Sequence, residues 1–515
     1  MWIKKKTSFF GIILAVLVLF IIVRFSVFSN NGKEVEDIEY DYASLSMHTP
    51  DEYGGLVKRE ENGSFIVRTE DSVISMKWDV PAHKAILTIL DNDGKSYVKN
   101  VKGSGKYVFR KGTHGDSYTF RLQYKDYNGK GFTKEYKRKF LEFNKLPKLM
   151  TLHIDTEDGR GPVFEKIKKP NEKLFGLTVI NKNYKNAILN NKIPVKIRIR
   201  GNYNATHMNK SYKLSFQDKI DLLDLGEEYA DKEWVLLGRS YVETYFGLEL
   251  GKIVGMEWEP KMRFVNLMLN GDWKGLYILC ESINRHPKHV VLDKDGFLIE
   301  SDGYFWVNKG KSFKSSLLAE EVGFTFKYPK VTSKQDPRFS EIRQQIKQLD
   351  NAVRKNSHQI HNLIDLKTFV AWELAHEFMG TNDGYGSNMF FYKQNMDPKS
   401  KIKMGPLWDF DSLFLTKNNE HSAFWTFKST YFPFLLKNSV FRKYYKQQYF
   451  AIAPTLEEKM TSVLENMKNI PGLKESWQLN DRIEKRRRTL DNETDKMLWN
   501  LHDRIEWLNE QIKKL

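Results

Sequence analysis

The spacing of the apolar residues changes part-way along the chain, and this change constrains the fold most. Before about residue 335 the apolar residues come in short runs that alternate with polar ones, which predicts β-strands. After that point they recur with a spacing near 3.6 over 339–355 and 363–380, which predicts helices. Asp365 stands at the expected start of the second helix, as an N-cap. The predicted fold class is α+β, with strands first and helices after.

The first 28 residues combine a lysine cluster with an uncharged apolar stretch. The lysines at 4–6 precede residues 7–23, which carry no charge, and Arg24 follows. About twenty apolar residues span a bilayer, and flanking lysines favour the cytoplasmic side. We therefore expect 1–28 to be a cytoplasmic lysine cluster and a retained transmembrane helix, with the main domains outside the cell. A cleavable signal peptide is the alternative, although no small-residue cleavage site follows.

Two segments follow this stretch. Residues 29–57 are polar and acidic without apolar periodicity, which is typical of a linker. Residues 58–145 carry short alternating runs separated by turn sequences, and this pattern predicts a β-sandwich. Trp78 and the segment 118–129 resemble a fibronectin type III or related immunoglobulin-like module. Its expected role is that of a spacer or adhesive module.

Charge and cysteine content exclude some classes of function. The 515 residues carry a net charge of +17, with basic residues interleaved among acidic ones. This favours acidic partners such as anionic lipid, a phosphorylated ligand or a wall polymer. No nucleic acid is expected as a partner, because the common nucleic-acid-binding motifs are missing. The single cysteine, Cys280, excludes an intrachain disulfide and a thiolate zinc site, and its apolar surroundings predict a packing role.

A Pro-marked hinge at 146–150 precedes a second set of strands. The runs 149–155, 174–180, 195–201 and 211–216 are followed by a helix over 242–254 and by a hairpin of strands 263–269 and 275–280. This order predicts an antiparallel sheet with one helix packed on it. If 211–216 is a strand, alternation puts Tyr212, Leu214 and Phe216 on one face and Lys213 on the other.

The segment 381–411 places three acidic residues and one amide at the ends of the apolar, strand-like runs 389–392 and 406–408. They are Asp383, Asn388, Asp409 and Asp411. Short strands would place these side chains in one cleft. Carboxylate and amide oxygens are hard ligands, suited to Mg²⁺ with phosphate. The alternative is that 382–384 form an ordinary turn and that the later acidic residues cap the next element.

A series of short motifs spans most of the region 146–515. They are Arg200-Gly201-Asn202, Lys210-Ser211-Tyr212-Lys213, Trp234-Val235-Leu236-Leu237, Leu269-Asn270-Gly271 with Gly275-Leu276-Tyr277 and Glu281, Asp383 with Asn388, and Gly405-Pro406-Leu407-Trp408-Asp409-Phe410-Asp411. In this order they resemble the CotH kinase family, atypical protein kinases related to bacterial spore-coat proteins. The resemblance implies a kinase-like two-lobed domain over 146–515, with an antiparallel β N-lobe, a helical C-lobe, and ATP with Mg²⁺ in the cleft.

The resemblance also implies roles for the acidic segment. Asp383 and Asn388 have the spacing of the catalytic-loop Asp and the metal-binding Asn of protein kinases, and Asp409 begins a triplet in the place of Asp-Phe-Gly. Asp383 is then the catalytic base, and Asn388 and Asp409 are metal ligands. Asp411 is a second metal ligand or an orienting group.

Four further residues are implied to contact the nucleotide. Lys210 or Lys213 would neutralise the phosphates, with Lys210 the first choice because it matches the family's lysine before Ser-Tyr. Arg200 could also reach phosphate. Glu281 follows the second hairpin strand, where a kinase hinge begins, and is expected to meet adenine or ribose or, alternatively, to pair with Arg285.

Two features depart from the family pattern, and three functions stay open. Glu243-Thr244 stands where the family helix opens with an Arg-Asn pair, and the turn 202–208 lacks the usual Ser and Pro residues. An outward-facing domain also has no obvious supply of ATP. The first function is a kinase that phosphorylates Ser/Thr hydroxyls of a protein, or a surface polymer. The second is a membrane-anchored pseudokinase that binds a cell-surface partner; a structural spore or wall protein ranks third.

Overall fold

The structure is a computed structural model that describes residues 63–515, apart from 157–173, 181–192, 201–208, 270–271, 304, 306–311, 382–387, 415–422, 425–430 and 485–487. The predicted anchor at 1–28, the predicted linker at 29–57 and Asp383 lie outside the described residues, so these predictions stay predictions. Within the described ranges no helix is both long enough and apolar enough to cross a bilayer.

The first five strands form one curled antiparallel sheet. They are β1 (Ser64–Glu70), β2 (Val73–Leu90), β3 (Ser96–Phe109), β4 (Ser117–Lys125) and β5 (Gly131–Lys139). β2 pairs with β1 and β3 along its first half and with β3 and β4 along its second, with a register break between Asp79 and Lys84. Pro81, which has no N–H to donate, lies in that break. The predicted two-sheet sandwich is corrected to a single sheet, because β2 runs through both halves.

The next seven strands close into a barrel. They are β6 (Thr151–Thr156), β7 (Leu174–Ile180), β8 (Ile193–Ile199), β9 (Tyr212–Ile220), β10 (Asp231–Leu237), β11 (Met262–Leu269) and β12 (Asp272–Glu281). Neighbours run antiparallel except β6 and β11, whose parallel pairing closes the barrel. The predicted antiparallel sheet is corrected in this respect, because the closing pair joins strands that are far apart in sequence.

β9 shows how alternation gives the barrel two faces. Tyr212, Leu214 and Phe216 are buried in the barrel interior and Lys213 lies on the outer face, as the alternation predicts. On the neighbouring strands some outward residues are buried as well, because they pack on the main core built by the helices. Cys280 is one of these: it is a free, fully buried thiol, and burial raises its pKa to about 12.

Residues 238–240 connect β10 to α1 (Tyr241–Val254), close to the helix predicted over 242–254. Val242, Phe246 and Leu250 recur at helical spacing and are buried in the main core. Gly255 ends the helix in the left-handed conformation, with its N–H bonded to the carbonyls of the last turn. α1 therefore fills the space between the outer face of the barrel and the later helices.

A second five-stranded sheet begins after the barrel. It contains β13 (Phe297–Asp302), β14 (Ser312–Phe313), β15 (Gly323–Tyr328), β16 (Phe390–Lys393) and β17 (Lys403–Met404), in the order β14-β15-β13-β16-β17. β16 is the strand predicted at 389–392. The strand-like run predicted at 406–408 is instead part of the loop that follows β17, because it has no strand partner.

The remaining elements in the described part of the chain are helical. They are α2 (Pro337–Arg354), α3 (Ile360–Leu363), α4 (Leu366–Met379), α5 (Phe432–Leu435), α6 (Ser439–Lys468), α7 (Leu473–Glu484) and α8 (Leu490–Lys514). Both predicted helices exist as α2 and α4, and the carboxylate of Asp365 caps α4 by accepting the N–H of Thr368 at 2.8 Å. α4 is buried along most of its length. A fully buried ion pair between Glu377 and Arg504 ties it to α8.

Candidate functional site

Asn388 and Asp409 meet between the start of β16 and the loop after β17. The Asn388 Nδ2 donates to Asp409 Oδ2 at 3.4 Å. Both residues adopt the left-handed backbone region, with φ of 60° and 65°. The chain next to Asn388 is fixed, since Ser301 N–H donates to Met389 O at 2.8 Å and Met389 N–H donates to Ser301 Oγ at 3.2 Å. Strained backbone held by its surroundings is a common feature of functional sites.

The loop that carries Asp409 is anchored from both sides. The buried carboxylate of Glu259 accepts the Leu407 N–H at 3.1 and 3.2 Å, and burial raises the pKa of Glu259 well above its usual value. Phe410 packs against Gly247 of α1, where an added Cβ would lie only 2.1 Å from the phenyl ring. Phe410 thus faces the core. The half-buried Asp409 beside it faces Asn388.

Asp411 lies next to a cation that the sequence did not indicate. Its Oδ2 is 3.5 Å from Nη2 of Arg239, which lies between β10 and α1. On the next residue, Ser412 Oγ contacts Thr381 Oγ1 at 2.7 Å. This contact joins the loop to the residue that precedes the segment 382–387. No sequence signal other than its place between a strand and a helix could have singled out Arg239.

Arg200 approaches the same loop from the barrel. Its guanidinium lies 5.1 Å from the ring centre of Trp408, and its backbone N–H donates to Ser211 O at 2.9 Å. Burial lowers the pKa of Arg200, while the Asp409 and Glu300 carboxylates act in the opposite direction. The positive charge of Arg200 therefore lies within the field of Asp409.

The two candidate lysines have different surroundings. Lys213, on the outer face of the barrel opposite Arg198, forms an ion pair with Glu233 at 2.6 Å. Burial lowers the pKa of Lys213, and Glu233 opposes this. Lys210 is only 1% exposed, and burial together with the Lys274 ammonium lowers its pKa to about 8. Lys210 is thus a buried amine with a pKa of about 8, whereas Lys213 forms an ion pair with Glu233 that opposes the effect of burial on its pKa.

Glu281 lies in a different, buried polar group of side chains. Its Oε2 accepts the Lys261 N–H at 2.8 Å, and its Oε1 lies 3.1 Å from Nε2 of His289. The other ring nitrogen of His289 contacts Asn284 Oδ1 at 2.9 Å, and Asn284 Nδ2 donates to Asp231 Oδ2 at 2.6 Å. We call Glu281, His289, Asn284 and Asp231 the Glu281 cluster.

The alternative partner of Glu281, Arg285, is engaged elsewhere. Its Nε donates to Leu292 O at 2.8 Å, and its guanidinium lies 4.8 Å from the ring centre of Tyr328. Glu243, which replaces an expected arginine, is also directed away from the loop of Asp409. Burial raises its pKa, and the charges that act on it come from Glu493, Lys496 and Arg488.

The structure places five charged or polar groups on or beside the loop after β17, as the pairs Asn388–Asp409 and Arg239–Asp411 with Arg200 within the field of Asp409. They are Arg200, Arg239, Asn388, Asp409 and Asp411, which we call the Asp409 cluster. It does not bring Glu281 into this group. Within the described ranges, no three His, Cys, Asp or Glu side chains converge as a ready-made metal site. Asn388 and the two aspartates still supply hard oxygen donors of the kind that Mg²⁺ prefers.

Comparison with known protein families assigns the chain to one of them. The sequence model of the CotH kinase protein family matches residues 197–508, more than half of the chain. This chain is a member of the CotH kinase family. The CotH match begins within β8 and ends within α8, so it contains the Asp409 cluster and Lys210, Lys213 and Glu281. The sheet of β1–β5 lies outside the CotH match, and its fibronectin-like character stays a prediction.

Other comparisons add little to the CotH assignment. A search of the curated proteins gave no match. Among solved structures, the twitchin kinase region from C. elegans (Fn31-NL-kin-CRD-Ig26) aligns at 7% identity with a TM-score of 0.17, over 44% of this chain and 40% of that chain.

Proposed function

We propose that this CotH family member is an ATP- and Mg²⁺-dependent phosphotransferase. It transfers the γ-phosphate of ATP to hydroxyl groups of a protein or of a surface polymer. In this proposal the barrel and α1 form the N-lobe of a kinase-like domain, and β13–β17 with the later helices form the C-lobe. The observation that carries the proposal is the meeting of Asn388 and Asp409, both in left-handed backbone, at 3.4 Å.

The donor set fits a magnesium ion. Asp409 and Asp411 provide carboxylate oxygens and Asn388 an amide, and the guanidinium of Arg239 already lies 3.5 Å from Asp411. When bound, Mg²⁺ would neutralise charge on the phosphates. Asn388, Asp409 and Asp411 are the residues that would hold it.

The remaining roles follow from charge and position. Arg200 and either Lys210 or Lys213 neutralise the phosphates of the nucleotide, because each brings a partly desolvated cation to the barrel side of the cleft. Asp383 orients the acceptor hydroxyl and takes its proton as the bond to phosphorus forms. Glu281 stays a candidate contact for adenine or ribose.

A second candidate is a catalytically weak pseudokinase that acts as a binding or structural protein at the cell surface. Two observations favour it. Glu281 is buried in its own cluster, where its Oε2 accepts the Lys261 N–H and its Oε1 lies 3.1 Å from His289 Nε2, and Glu243 presents no cation to the loop of Asp409. Either function is placed at the cell membrane, with residues 1–28 as the anchor and the main domains outside.

The deciding experiment measures Mg-ATP binding and phosphate transfer by the full-length protein. We expect wild type to bind Mg-ATP and to label a substrate, with EDTA removing the label. Asp409→Ala should abolish transfer, and Asp93→Asn, which alters an exposed carboxylate in the β2–β3 turn, should have no effect. A wild type without binding or transfer would contradict the kinase proposal. Transfer that survives Asp409→Ala would contradict the assigned site.

Topology needs a separate measurement. If the main domains face outward, protease added to intact cells should remove them and leave a short membrane fragment. Cells that keep the full-length chain after protease treatment, while a known surface protein is cleaved, would contradict the outward orientation.

A further inference from the structure

Arg239 has hydrogen-bonding capacity that the described protein does not use. Its side chain is 28% exposed, but its Nη1 is buried, and among the residues that the structure describes it has no hydrogen-bond partner. The ion pair with Asp411 spans 3.5 Å, longer than the 2.7–2.9 Å, roughly, of a charge-assisted hydrogen bond. A desolvated guanidinium N–H without an acceptor is costly, so the arrangement favours an anionic ligand that supplies one.

The backbone around Arg239 is held in place from several directions. The Gly238 N–H donates to Ser211 Oγ at 3.3 Å, and the Tyr241 hydroxyl lies 2.7 Å from the carbonyl oxygens of Gly238 and Leu276. Ser240 adopts a φ of 54°, an uncommon conformation for a residue with a side chain. These contacts fix where the arginine enters the cleft.

The residue before Arg239 packs against the lysine half of the proposed site. A Cβ added at Gly238 would lie 3.0 Å from the carbonyl oxygens of Asn209 and Lys210, so the backbone that leads into the arginine lies against the segment of the buried lysine. The arginine side chain itself reaches Asp411. A phosphate chain that extends from the lysine segment to the carboxylates would pass this guanidinium.

We propose that Arg239 is a phosphate-binding residue of the nucleotide site, with phosphate oxygens as the acceptors that its buried N–H groups lack. This inference rests on the proposed phosphotransferase function. It also accounts for Glu243, which stands where the family has an arginine at the start of α1. Arg239, in the connection between β10 and α1, would supply the positive charge that this position lacks. The planar guanidinium suits two-point contact with phosphate, which a lysine provides less well.

The test compares full-length wild type with Arg239→Gln, Arg239→Lys and the control Arg338→Gln. Arg338 is matched in exposure, at 25%, but bonds to carbonyl oxygens of the 294–296 loop. Titrations would use Mg-ATP and, separately, adenosine, and thermal unfolding would be recorded for each variant. We expect Arg239→Gln to weaken Mg-ATP binding by about 10- to 100-fold, the loss for a hydrogen bond to a charged group. Adenosine binding and the unfolding midpoint should stay unchanged, and Arg239→Lys should recover part of the affinity.

The possible failures are distinguishable. A wild type that binds no Mg-ATP overturns the proposed function and this inference together. A wild type that binds Mg-ATP, with Arg239→Gln binding it equally well, overturns only the inference. An equal loss for Mg-ATP and adenosine, or a lowered unfolding midpoint, would make Arg239 a structural partner of Asp411 and would also overturn it.

Discussion

The Glu281 cluster and the Asp409 cluster contain similar side chains but satisfy them differently. In the Glu281 cluster, Glu281 and His289 are fully buried and neighbouring polar atoms lie 2.6–3.1 Å apart, although the Glu281 Oε1 and His289 Nε2 atoms, at 3.1 Å, are not aligned for a hydrogen bond. In the Asp409 cluster the contacts lie at 3.4 and 3.5 Å, and the backbone at Asn388 and Asp409 is left-handed.

Under the proposed function, this difference in contact length separates a structural role from a binding role. A buried charge is stable only when its partners are close, as around Glu281. Loose contacts between a carboxylate, an amide and two guanidinium groups leave room for a ligand, and the strained backbone must be stabilised by the surrounding core. Residue type alone does not reveal this difference, because both clusters combine aspartate or glutamate with basic and amide groups.

The largest expected effect comes from Glu281→Ala. It leaves the partly buried Lys261 N–H and the buried imidazole of His289 without their neighbouring acceptor, and each such unsatisfied group lowers the free energy of unfolding by about 1–3 kcal/mol. The control Glu458→Ala removes an exposed glutamate on α6 and should leave it unchanged. Denaturant unfolding measures both. A stable Glu281→Ala that loses Mg-ATP affinity would break the comparison and place Glu281 at the nucleotide, as its position in the sequence suggested.

Gly247→Ala is expected to have the next largest effect. Alanine normally stabilises a helix interior by about 1 kcal/mol relative to glycine, but here its Cβ would lie 2.1 Å from the ring of Phe410. We expect a net loss of about 1–3 kcal/mol in the free energy of unfolding and weaker phosphate transfer, because the displaced phenyl ring shifts Asp409.

The control for this prediction is Gly131→Ala, where an added Cβ meets nothing within 4 Å. Combining Gly247→Ala with Phe410→Leu should restore most of the lost stability. A Gly247→Ala protein that is more stable than wild type and fully active would show that Phe410 does not position the loop.

Local patterns predicted the elements well where each element depends on its own residues. α2 and α4 follow from helical spacing, the cap at Asp365 follows from residue type, and β9 follows from alternation between Tyr212 and Phe216. The barrel was not predictable in this way, because its closure depends on the parallel pairing of β6 with β11. β13–β15 were also missed: β13 pairs with the distant β16, and β14 is only two residues long.

The candidate site was predictable to a similar extent. Motif order led to Asn388, Asp409, Asp411 and Arg200, which the structure brings together. Arg239 carries no motif, and only the path of the chain between β10 and α1 reveals it. For Glu281, only its position at a strand end was predictable, and not the histidine beside its carboxylate or the amide that contacts that histidine.

The pH dependence of nucleotide binding tests whether the buried Lys210 contacts phosphate. Burial and Lys274 lower the pKa of Lys210 to about 8 from 10.5, so it is charged below pH 8 and neutral above. If it binds phosphate, Mg-ATP affinity should fall about tenfold as the pH rises above 8, since each pH unit past the pKa removes most of the charged form. Lys210→Arg should flatten this profile, and Lys213→Arg should leave it unchanged.

Stability should move in the opposite direction over the same range. Between pH 8 and 10.5 the unfolded chain binds more protons at Lys210 than the folded protein does, so the contribution of Lys210 to stability rises with pH. Below pH 8 both forms are protonated and the contribution is constant. Thermal unfolding at several pH values measures this trend. If the stability of the protein rises with pH while its Mg-ATP affinity does not change, Lys210 does not contact the phosphates.

The smallest expected effect on stability comes from Asp411→Asn. The pair with Arg239 is partly exposed and 3.5 Å long, and such pairs contribute about 0–1 kcal/mol, so the unfolding midpoint should barely change. Function should respond instead: with a carboxylate ligand replaced by an amide, more Mg²⁺ is needed for half-maximal transfer. Asp397→Asn, in an exposed turn, is the matched control. A destabilisation as large as that of Glu281→Ala, with an unchanged Mg²⁺ requirement, would mean that both clusters are structural and that the looser contacts around Asp409 do not indicate a binding site.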